Sequence, residues 1–148
     1  MVYQPPLHTD ERGELSEIWT ESRDPLGLPV VHVYMVMVRP GKVRGWQMHT
    51  VQTDRIFIQQ GSLRVGLYDA RLESPTHGML NVMTFGERNR ALIIVPAGVW
   101  HGVQNVGERE AIFINLPTRP YNYEDPDKFR LPLQNDLIPF AFEDAPGR

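Results

Sequence analysis

The sequence predicts an all-β protein, and three observations lead to that prediction. Short apolar runs rich in Val, Ile, Leu and Phe are separated by Pro and Gly, which number 13 and 12 among 148 residues and favour turns. Several runs alternate with the period of two that a half-buried strand requires. A weak helical repeat around residues 11–19 contains Gly13, which argues against a helix. Such chains form sandwiches, jelly rolls or barrels, and periodicity alone does not choose among them.

The strands are predicted in order along the chain. The β-branched run 30–38 ends at a Pro-Gly turn. Residues 56–58 and 63–67 form a hairpin around Gly61, with one buried face on its second strand. The runs 91–95 and 111–116 each end at a proline and are predicted to be buried strands.

The ends of the chain are predicted to cover the strands. Residues 121–148 are rich in proline, acidic residues and scattered aromatics, which indicates an ordered loop or short helical turn that wraps the body. We expect one domain over 1–148: an N-terminal strand region 1–27, a barrel over about 28–118 and a C-terminal wrapping segment 119–148.

Composition narrows the classes of function. The 15 Lys and Arg against 18 Asp and Glu give a formal net charge of -3, which does not indicate binding to nucleic acid or to a membrane. The chain has no cysteine, so disulfides, thiolate metal sites and cysteine nucleophiles are excluded. It has neither a signal-peptide pattern at its start nor a long apolar run. We therefore expect a cytoplasmic protein.

The first group of candidate site residues lies in the segment 44–49. Strand alternation puts Arg44, Trp46 and Met48 on one face and Gln47 and His49 on the other. Histidine titrates near neutrality and serves as acid, base or ligand. Taken singly, such a residue is more often a half-buried histidine bonded to the backbone, and a tryptophan is more often a packing residue.

Two further groups follow later strands. His101 begins a strand after the turn 96–98, and Tyr121 lies in a segment with a second tyrosine and two carboxylates, just past a strand. A polar group beside buried strands needs a partner or a function. Histidines on neighbouring strands therefore indicate a candidate site.

Two stretches resemble the motifs of the cupin family. The first is Gly41-x5-Gln47-x-His49-x4-Asp54-x6-Gly61, and the second is Pro96-x-Gly98-x2-His101-x3-Asn105. The resemblance implies a cupin-type jelly-roll β-barrel, also described as a double-stranded β-helix.

A narrower set of landmarks resembles the dTDP-4-dehydrorhamnose 3,5-epimerase family. They are Asp10-Glu11-Arg12-Gly13, Arg44-Gly45, Asp69-x-Arg71 followed by Ser74-Pro75-Thr76-x-Gly78, His101-Gly102, and Tyr121. The resemblance implies an isomerase that epimerises a nucleotide-linked 4-keto-6-deoxy sugar without a metal or other cofactor, by removing a proton next to the keto group. It also implies a homodimer in which Arg12 reaches the neighbouring pocket.

The resemblance also implies roles for individual residues. Either His49 or His101 is the base, Tyr121 is the acid and Asp136 orients the histidine. The expected substrate-binding residues are Arg12, Arg44, Trp46, Gln47 and Arg55. Gln47 stands where the family has its catalytic histidine, and Asp54 stands where it has a phosphate-binding lysine.

Two alternatives remain open from the sequence. Gln47, His49, Asp54 and His101 occupy the positions that supply the metal ligands of other cupins, and such a set would hold a divalent transition metal. A cupin that binds a sugar without catalysis is the other alternative, because a fold does not dictate a function.

Overall fold

The computed structural model of the chain describes residues 1–142, and these residues form twelve strands. The strands are β1 (Val2–Tyr3), β2 (Leu7–Asp10), β3 (Gly13–Ser16), β4 (Tyr34–Val38), β5 (Val43–Met48), β6 (Asp54–Gln60), β7 (Ser62–Asp69), β8 (Leu80–Gly86), β9 (Leu92–Val95), β10 (Val99–Asn105), β11 (Ala111–Asn115) and β12 (Phe129–Arg130). A single 3-10 turn covers Glu21–Arg23. Among the described residues, no helix is long and apolar enough to cross a membrane.

Ten of the strands form two antiparallel sheets. The first sheet has the order β1-β9-β6-β11-β4 and the second has the order β12-β5-β10-β7-β8. Strands β2 and β3 pair only with each other. The two facing sheets confirm the all-β prediction and have the jelly-roll arrangement: from β4 to β12 consecutive strands alternate between the sheets, except β7 and β8, which pair in the second sheet.

The core lies between the two sheets. Ile58, Ile93 and Phe113 of the first sheet pack with Leu63 and Val65 of the second in one buried cluster. Alternation along each strand supplies these inward residues, as the period-two patterns predicted. Apolar packing therefore fills part of the interior, and the polar site described below occupies another part.

The outer face of each sheet is covered by one end of the chain. Tyr3, Ile18 and Trp19 pack on the first sheet, and the C-terminal segment packs Ile138 and Phe142 on the second. Through Phe142 that segment wraps the body as an ordered chain with one two-residue strand; its last six residues, 143–148, lie outside the described residues. Both predicted flanking segments thus bury apolar area of the sheets.

The strand predicted over 30–38 begins four residues later than expected. Residues 30–33 have no strand partner, whereas Tyr34 is the first residue opposite β11, facing Asn115. An apolar run becomes a strand only where a neighbour accepts its backbone hydrogen bonds.

Candidate active site

A polar cavity opens between the two sheets. Its volume is about 60 Å³. Val36, Ile56, Val103 and Phe113 form apolar walls that continue into the core. The polar lining residues are Tyr34, Arg44, Gln47, His101, Asn115 and Lys128. The cavity therefore combines an apolar base with several convergent polar groups.

A buried carboxylate joins two histidines at this cavity. Asp54 Oδ2 lies 3.2 Å from His49 Nε2 and 3.3 Å from His101 Nε2. Asp54 begins β6 of the first sheet, His49 follows β5 of the second, and His101 lies on β10 beside β5. His101 lines the cavity, whereas neither Asp54 nor His49 is one of the lining residues in the described chain.

The opposite ring nitrogens fix the orientation of both histidines. Nδ1 of His49 bonds to the backbone carbonyl of Asp127, and Nδ1 of His101 lies 3.2 Å from the carbonyl of Val99. A carbonyl only accepts a hydrogen bond, so both Nδ1 atoms carry a proton. The Nε2 atom of each histidine is consequently the one that faces Asp54.

The charges in this cluster are coupled. Burial opposes ionisation of Asp54, but the hydrogen bonds that His101 and His49 donate when Nε2 is also protonated outweigh burial and hold the pKa of Asp54 well below the ordinary value. Burial also opposes a charged His49, yet the hydrogen bond and charge of Asp54, together with Asp127, raise the pKa of His49. Asp54 is therefore a carboxylate at neutral pH, and it favours protonation of His49.

A β-bulge in β5 changes which residues face the cavity. His101 is opposite Gln47 and Val103 is opposite Arg44, so three residue steps on β5 match two on β10. The extra residue puts Arg44 on the same side as Gln47. The alternation predicted for Arg44 with Trp46 and Met48 is therefore wrong: Arg44 lines the cavity, while the other two pack in the opposite cluster.

The bulge is accompanied by a close approach of β5 to β10. A Cβ atom on Gly45 would lie 2.6 Å from the Cα of Gly102, and one on Gly102 would lie 3.3 Å from the Cα of Gly45. Two glycines therefore let the backbones meet between Arg44 and His101.

Gln47 lies in the cavity wall beside His101. Its Nε2 is 3.0 Å from Nε2 of His101, and the amide hydrogen is the natural donor because His101 Nδ1 already carries the ring proton. The Gln47 amide thus contacts the same histidine nitrogen that faces Asp54.

Residues 127–130 of the C-terminal segment form a strap that closes one side of the site. Strand β12 pairs with β5, placing Phe129 opposite Met48 and Arg130 opposite Gln47. The Asp127 carboxylate accepts hydrogen bonds from the backbone N–H groups of residues 50, 51 and 52 and from the Thr50 hydroxyl, which lowers its pKa to about 2 against the effect of burial. The next residue, Lys128, extends into the cavity.

One tyrosine, Tyr34, lines the other wall of the cavity. Asn115 Nδ2 donates to the Tyr34 hydroxyl over 2.8 Å. Burial raises the pKa of Tyr34, with further contributions from Asp54 and from Tyr121, which therefore lies nearby. Tyr121 is 46% exposed and packs edge-on against Tyr123.

Six of the residues expected at the site are not among the lining residues of the cavity in the described chain: His49 and Tyr121, described above, and Trp46, Arg55, Asp136 and Arg12. Trp46 is fully buried against Phe142 on the outer side of the second sheet. Arg55 points away from Asp54, because neighbours on a strand alternate, and it forms a buried ion pair with Asp24.

The other two are on the surface. Asp136 is exposed in a C-terminal turn, and the carboxylate that contacts both histidines is Asp54. Arg12 pairs with Asp10 on the β2–β3 hairpin, with its side chain 83% exposed. Sequence position thus did not separate these residues from the lining ones.

The same cluster satisfies the elementary requirements of a metal site. The ligand atoms of His49, Asp54 and His101 all lie within 4.8 Å of one another. Bonds of about 2.0 Å in tetrahedral geometry separate ligand atoms by about 3.3 Å, which is the spacing found between Asp54 and each histidine. Nδ1 bonds to carbonyls are also the usual outer contacts of metal-binding histidines.

Three lining residues were missed by sequence reasoning, although each carries a signal. Tyr34 and Asn115 are polar residues inside apolar strand runs, and such groups need partners when buried. Lys128 is one of only two lysines in the chain. Its position in a proline-rich segment gives no periodicity from which its direction follows.

Comparison with known proteins identifies relatives along most of the chain. The model of the family "dTDP-4-dehydrorhamnose 3,5-epimerase" matches residues 1–136. The probable low-salt glycan biosynthesis epimerase Agl13 of Haloferax volcanii is 38% identical over 127 residues, covering 85% of this chain and 81% of Agl13. The spore coat polysaccharide biosynthesis protein SpsL of Bacillus subtilis is 32% identical over 133 residues, covering 90% and 87%.

Solved structures have the same fold. A dTDP sugar isomerase from Desulfovibrio desulfuricans superposes with a TM-score of 0.82 at 27% identity, covering 97% of this chain and 92% of that one. An epimerase, RmlC, of Legionella pneumophila in complex with dTDP-4-keto-L-rhamnose gives 0.84 at 21% identity, covering 98% and 79%. The jelly-roll prediction is confirmed. Because the family model spans nearly the whole chain, the protein belongs to the dTDP-4-dehydrorhamnose 3,5-epimerase family.

Proposed function

We propose that the protein epimerises a nucleotide-linked 4-keto-6-deoxy sugar, the class of substrate that its family handles. One observation carries the proposal: the cavity has a histidine nitrogen on one sheet and a tyrosine hydroxyl on the other. A sugar ring between the sheets would therefore have a proton acceptor and a proton donor on opposite faces. Inversion at a carbon requires that arrangement.

His101 is the base in this proposal. In the tautomer fixed by Val99, its Nε2 carries the lone pair, and that atom lies 3.0 Å from Gln47 Nε2 and 3.3 Å from Asp54 Oδ2. The His101 Nε2 atom removes the proton from the carbon next to the keto group, and the C–H electrons form an enolate. The imidazolium so produced lies 3.3 Å from the Asp54 carboxylate, a favourable charge pair.

His49 and Asp54 position the base. His49 is held by the Asp127 carbonyl and contacts the same carboxylate oxygen as His101. This arrangement fixes the Asp54 oxygen against the base. We assign the orienting role expected of Asp136 to Asp54, and we assign to His49 a positioning role.

A tyrosine returns the proton to the opposite face. Tyr34 lines the cavity, whereas Tyr121 is not among its lining residues in the described chain but contributes to the raised pKa of Tyr34. The raised pKa of Tyr34 keeps that phenol protonated at neutral pH, as an acid must be. Tyr34→Phe and Tyr121→Phe show which tyrosine is the proton donor. The variant that lacks the donor should still exchange substrate protons with solvent but should no longer form the epimer.

Arg44 and Gln47 bind the substrate in this proposal.

Exposed apolar residues on the surface support a homodimer. Leu15 of the β2–β3 hairpin is 61% exposed, and Met35 and Met37 on edge strand β4 are 63% and 51% exposed. A second copy covering these residues would bring Arg12 to the partner's nucleotide. We place the reaction in the cytoplasm. Light scattering tests the dimer, and Arg12→Ala tests the contact through the KM.

The direct test of activity is proton exchange. Purified protein is mixed in deuterated water with dTDP-4-keto-6-deoxyglucose, and NMR follows the C3 and C5 protons. We expect the wild type to exchange both protons, so that both signals disappear. The exchange should be abolished by His101→Ala and should persist after treatment with a chelator. A folded protein that leaves both protons in place would refute the proposed function.

A metal-dependent cupin enzyme is the second candidate, favoured by the spacing of the Asp54 and histidine ligand atoms. His49, Asp54 and His101, with Gln47 beside them, would hold a divalent ion. The ion would supply Lewis-acid polarisation of a substrate oxygen. Metal analysis of protein purified without an affinity tag decides: near-stoichiometric metal and exchange lost with a chelator would favour this candidate.

A further inference from the structure

The cavity contains a lysine with no carboxylate partner. Among the described residues, none of the ion pairs or side-chain hydrogen bonds involves the Lys128 ammonium group. The nearby Asp54 already has His49 and His101 as partners. A partly buried ammonium group without an anion indicates that the anion comes with a ligand.

The surroundings of Lys128 are positively charged. Burial lowers its pKa, the positive charges of Arg130 and Arg44 lower it further, and Asp54 acts in the opposite direction. Arg44 lines the same cavity. Bringing these cations together without a ligand costs free energy, and an anion between them would recover it.

The position of Lys128 is fixed by its neighbours in sequence. On one side, the Asp127 carboxylate holds the turn at residues 50–52 through four hydrogen bonds. On the other side, β12 pairs with β5 directly opposite Gln47 and Met48. The same Asp127 also holds His49. The strap therefore fixes Lys128 relative to the histidine cluster, which is a requirement for electrostatic catalysis.

From this geometry we infer that Lys128, together with Arg44, stabilises the negatively charged oxygen that forms when His101 removes a proton next to the substrate's keto group. The inference rests on the proposed function and adds a catalytic residue to it. Proton removal turns the C–H electron pair into the C=C bond of an enolate and moves the carbonyl π pair onto oxygen. When the acid delivers its proton, the C=C pair forms the new C–H bond and the carbonyl is restored. A preorganised cation beside that oxygen favours the transition state over bound substrate.

The competing assignment for Lys128 is the substrate's diphosphate. Both groups are anionic oxygens, so charge alone does not distinguish them. The cavity does: Lys128 lines the same space as His101 and Gln47, where the reacting carbon must lie within reach of the base. We therefore expect Lys128 to affect the chemical step and not the affinity for nucleotide.

The chain provides a matched control, because its only other lysine is Lys42. Lys42 lies in the turn before β5 and is not among the described lining residues. Lys128→Met, Lys128→Arg and Lys42→Met are compared by the exchange assay, by dTDP binding in calorimetry and by thermal unfolding.

We expect Lys128→Met to lower kcat by about 10²- to 10³-fold, the usual effect of losing one donor to an oxyanion. Its Kd for dTDP should change by less than about threefold, since dTDP lacks the sugar, and Lys128→Arg should keep more activity than Lys128→Met. Lys42→Met should resemble the wild type.

Three outcomes would overturn the inference. If the wild type exchanges protons and Lys128→Met has a kcat within threefold of it, the proposed function stands and the role of Lys128 fails. If Lys128→Met loses dTDP affinity as strongly as kcat, the lysine binds the diphosphate. If the wild type itself shows no exchange, the proposed function and the inference fail together.

Discussion

Replacing Asp54 with Asn tests the buried charge cluster at the site. The carboxylate is fully buried and lies 3.2 Å and 3.3 Å from the two histidine nitrogens. Removing one member of a buried ion pair costs about 3–5 kcal/mol, because the other charge loses its partner. In a chain of this length each kcal/mol lowers Tm by roughly 2–4 °C. We therefore expect Asp54→Asn to lower Tm by about 6–20 °C.

The effect should depend on pH in a defined direction. His49 has a raised pKa, so its stabilising contribution is complete below the ordinary value of 6.5 and is lost as pH rises through the folded-state pKa. Asp54 has a lowered pKa, so its contribution is complete above the ordinary value of 3.8 and is lost as pH falls further. The difference between wild type and variant should be largest from pH 3.8 to 6.5.

Thermal unfolding followed by circular dichroism measures this difference at pH 5 and pH 9 after chelator treatment. Asp136→Asn is the matched control, since Asp136 is exposed and an exposed substitution of this kind changes stability by no more than about 0.5 kcal/mol. A Tm decrease below about 2 °C for Asp54→Asn at pH 5 would contradict the charge pairing, as would an equal decrease for both variants.

Three other substitutions probe the surroundings of the site. Arg55→Met breaks the buried pair with Asp24 and should cost about 3–5 kcal/mol in urea unfolding; the KM should stay within about twofold, and a large rise would restore a substrate-binding role for Arg55. Asp127→Asn weakens four hydrogen bonds and should cost about 1–3 kcal/mol of unfolding free energy. This difference from the wild type should vanish as pH falls toward 2, and an acid unfolding transition identical in both proteins would contradict the prediction. Gly98→Ala, at φ +82° and with its Cβ 2.5 Å from Arg71 Cγ, should cost about 1–3 kcal/mol, and an unchanged unfolding midpoint would show that the turn tolerates a side chain.

The paired strands followed from local patterns. The hairpin around Gly61 and the strands before the two prolines needed only alternation and turn residues, which are properties of neighbouring positions. The start of β4 was predicted four residues early, because strand ends depend on a partner strand that is distant in sequence.

The site was only partly predictable. Both histidines and Asp54 were selected from motif spacing, and the structure brings them together. Trp46 and Arg55 were selected in the same way and point elsewhere. Spacing indicates where along a strand a residue lies, but a bulge or a strand end decides which face it occupies.

The strand pattern, the family and the main chemical groups could be predicted from the amino-acid sequence, because periodicity, turn residues and motif spacing are properties of neighbouring positions. The packing of the two sheets was needed to show that His101 lines the cavity while His49 does not, and that Arg44 faces inward. It was also needed to show that Lys128 enters the cavity from a strap joined to β5. Contacts between residues far apart in the chain depend on how the two sheets pack and register, and the local sequence does not encode those distances.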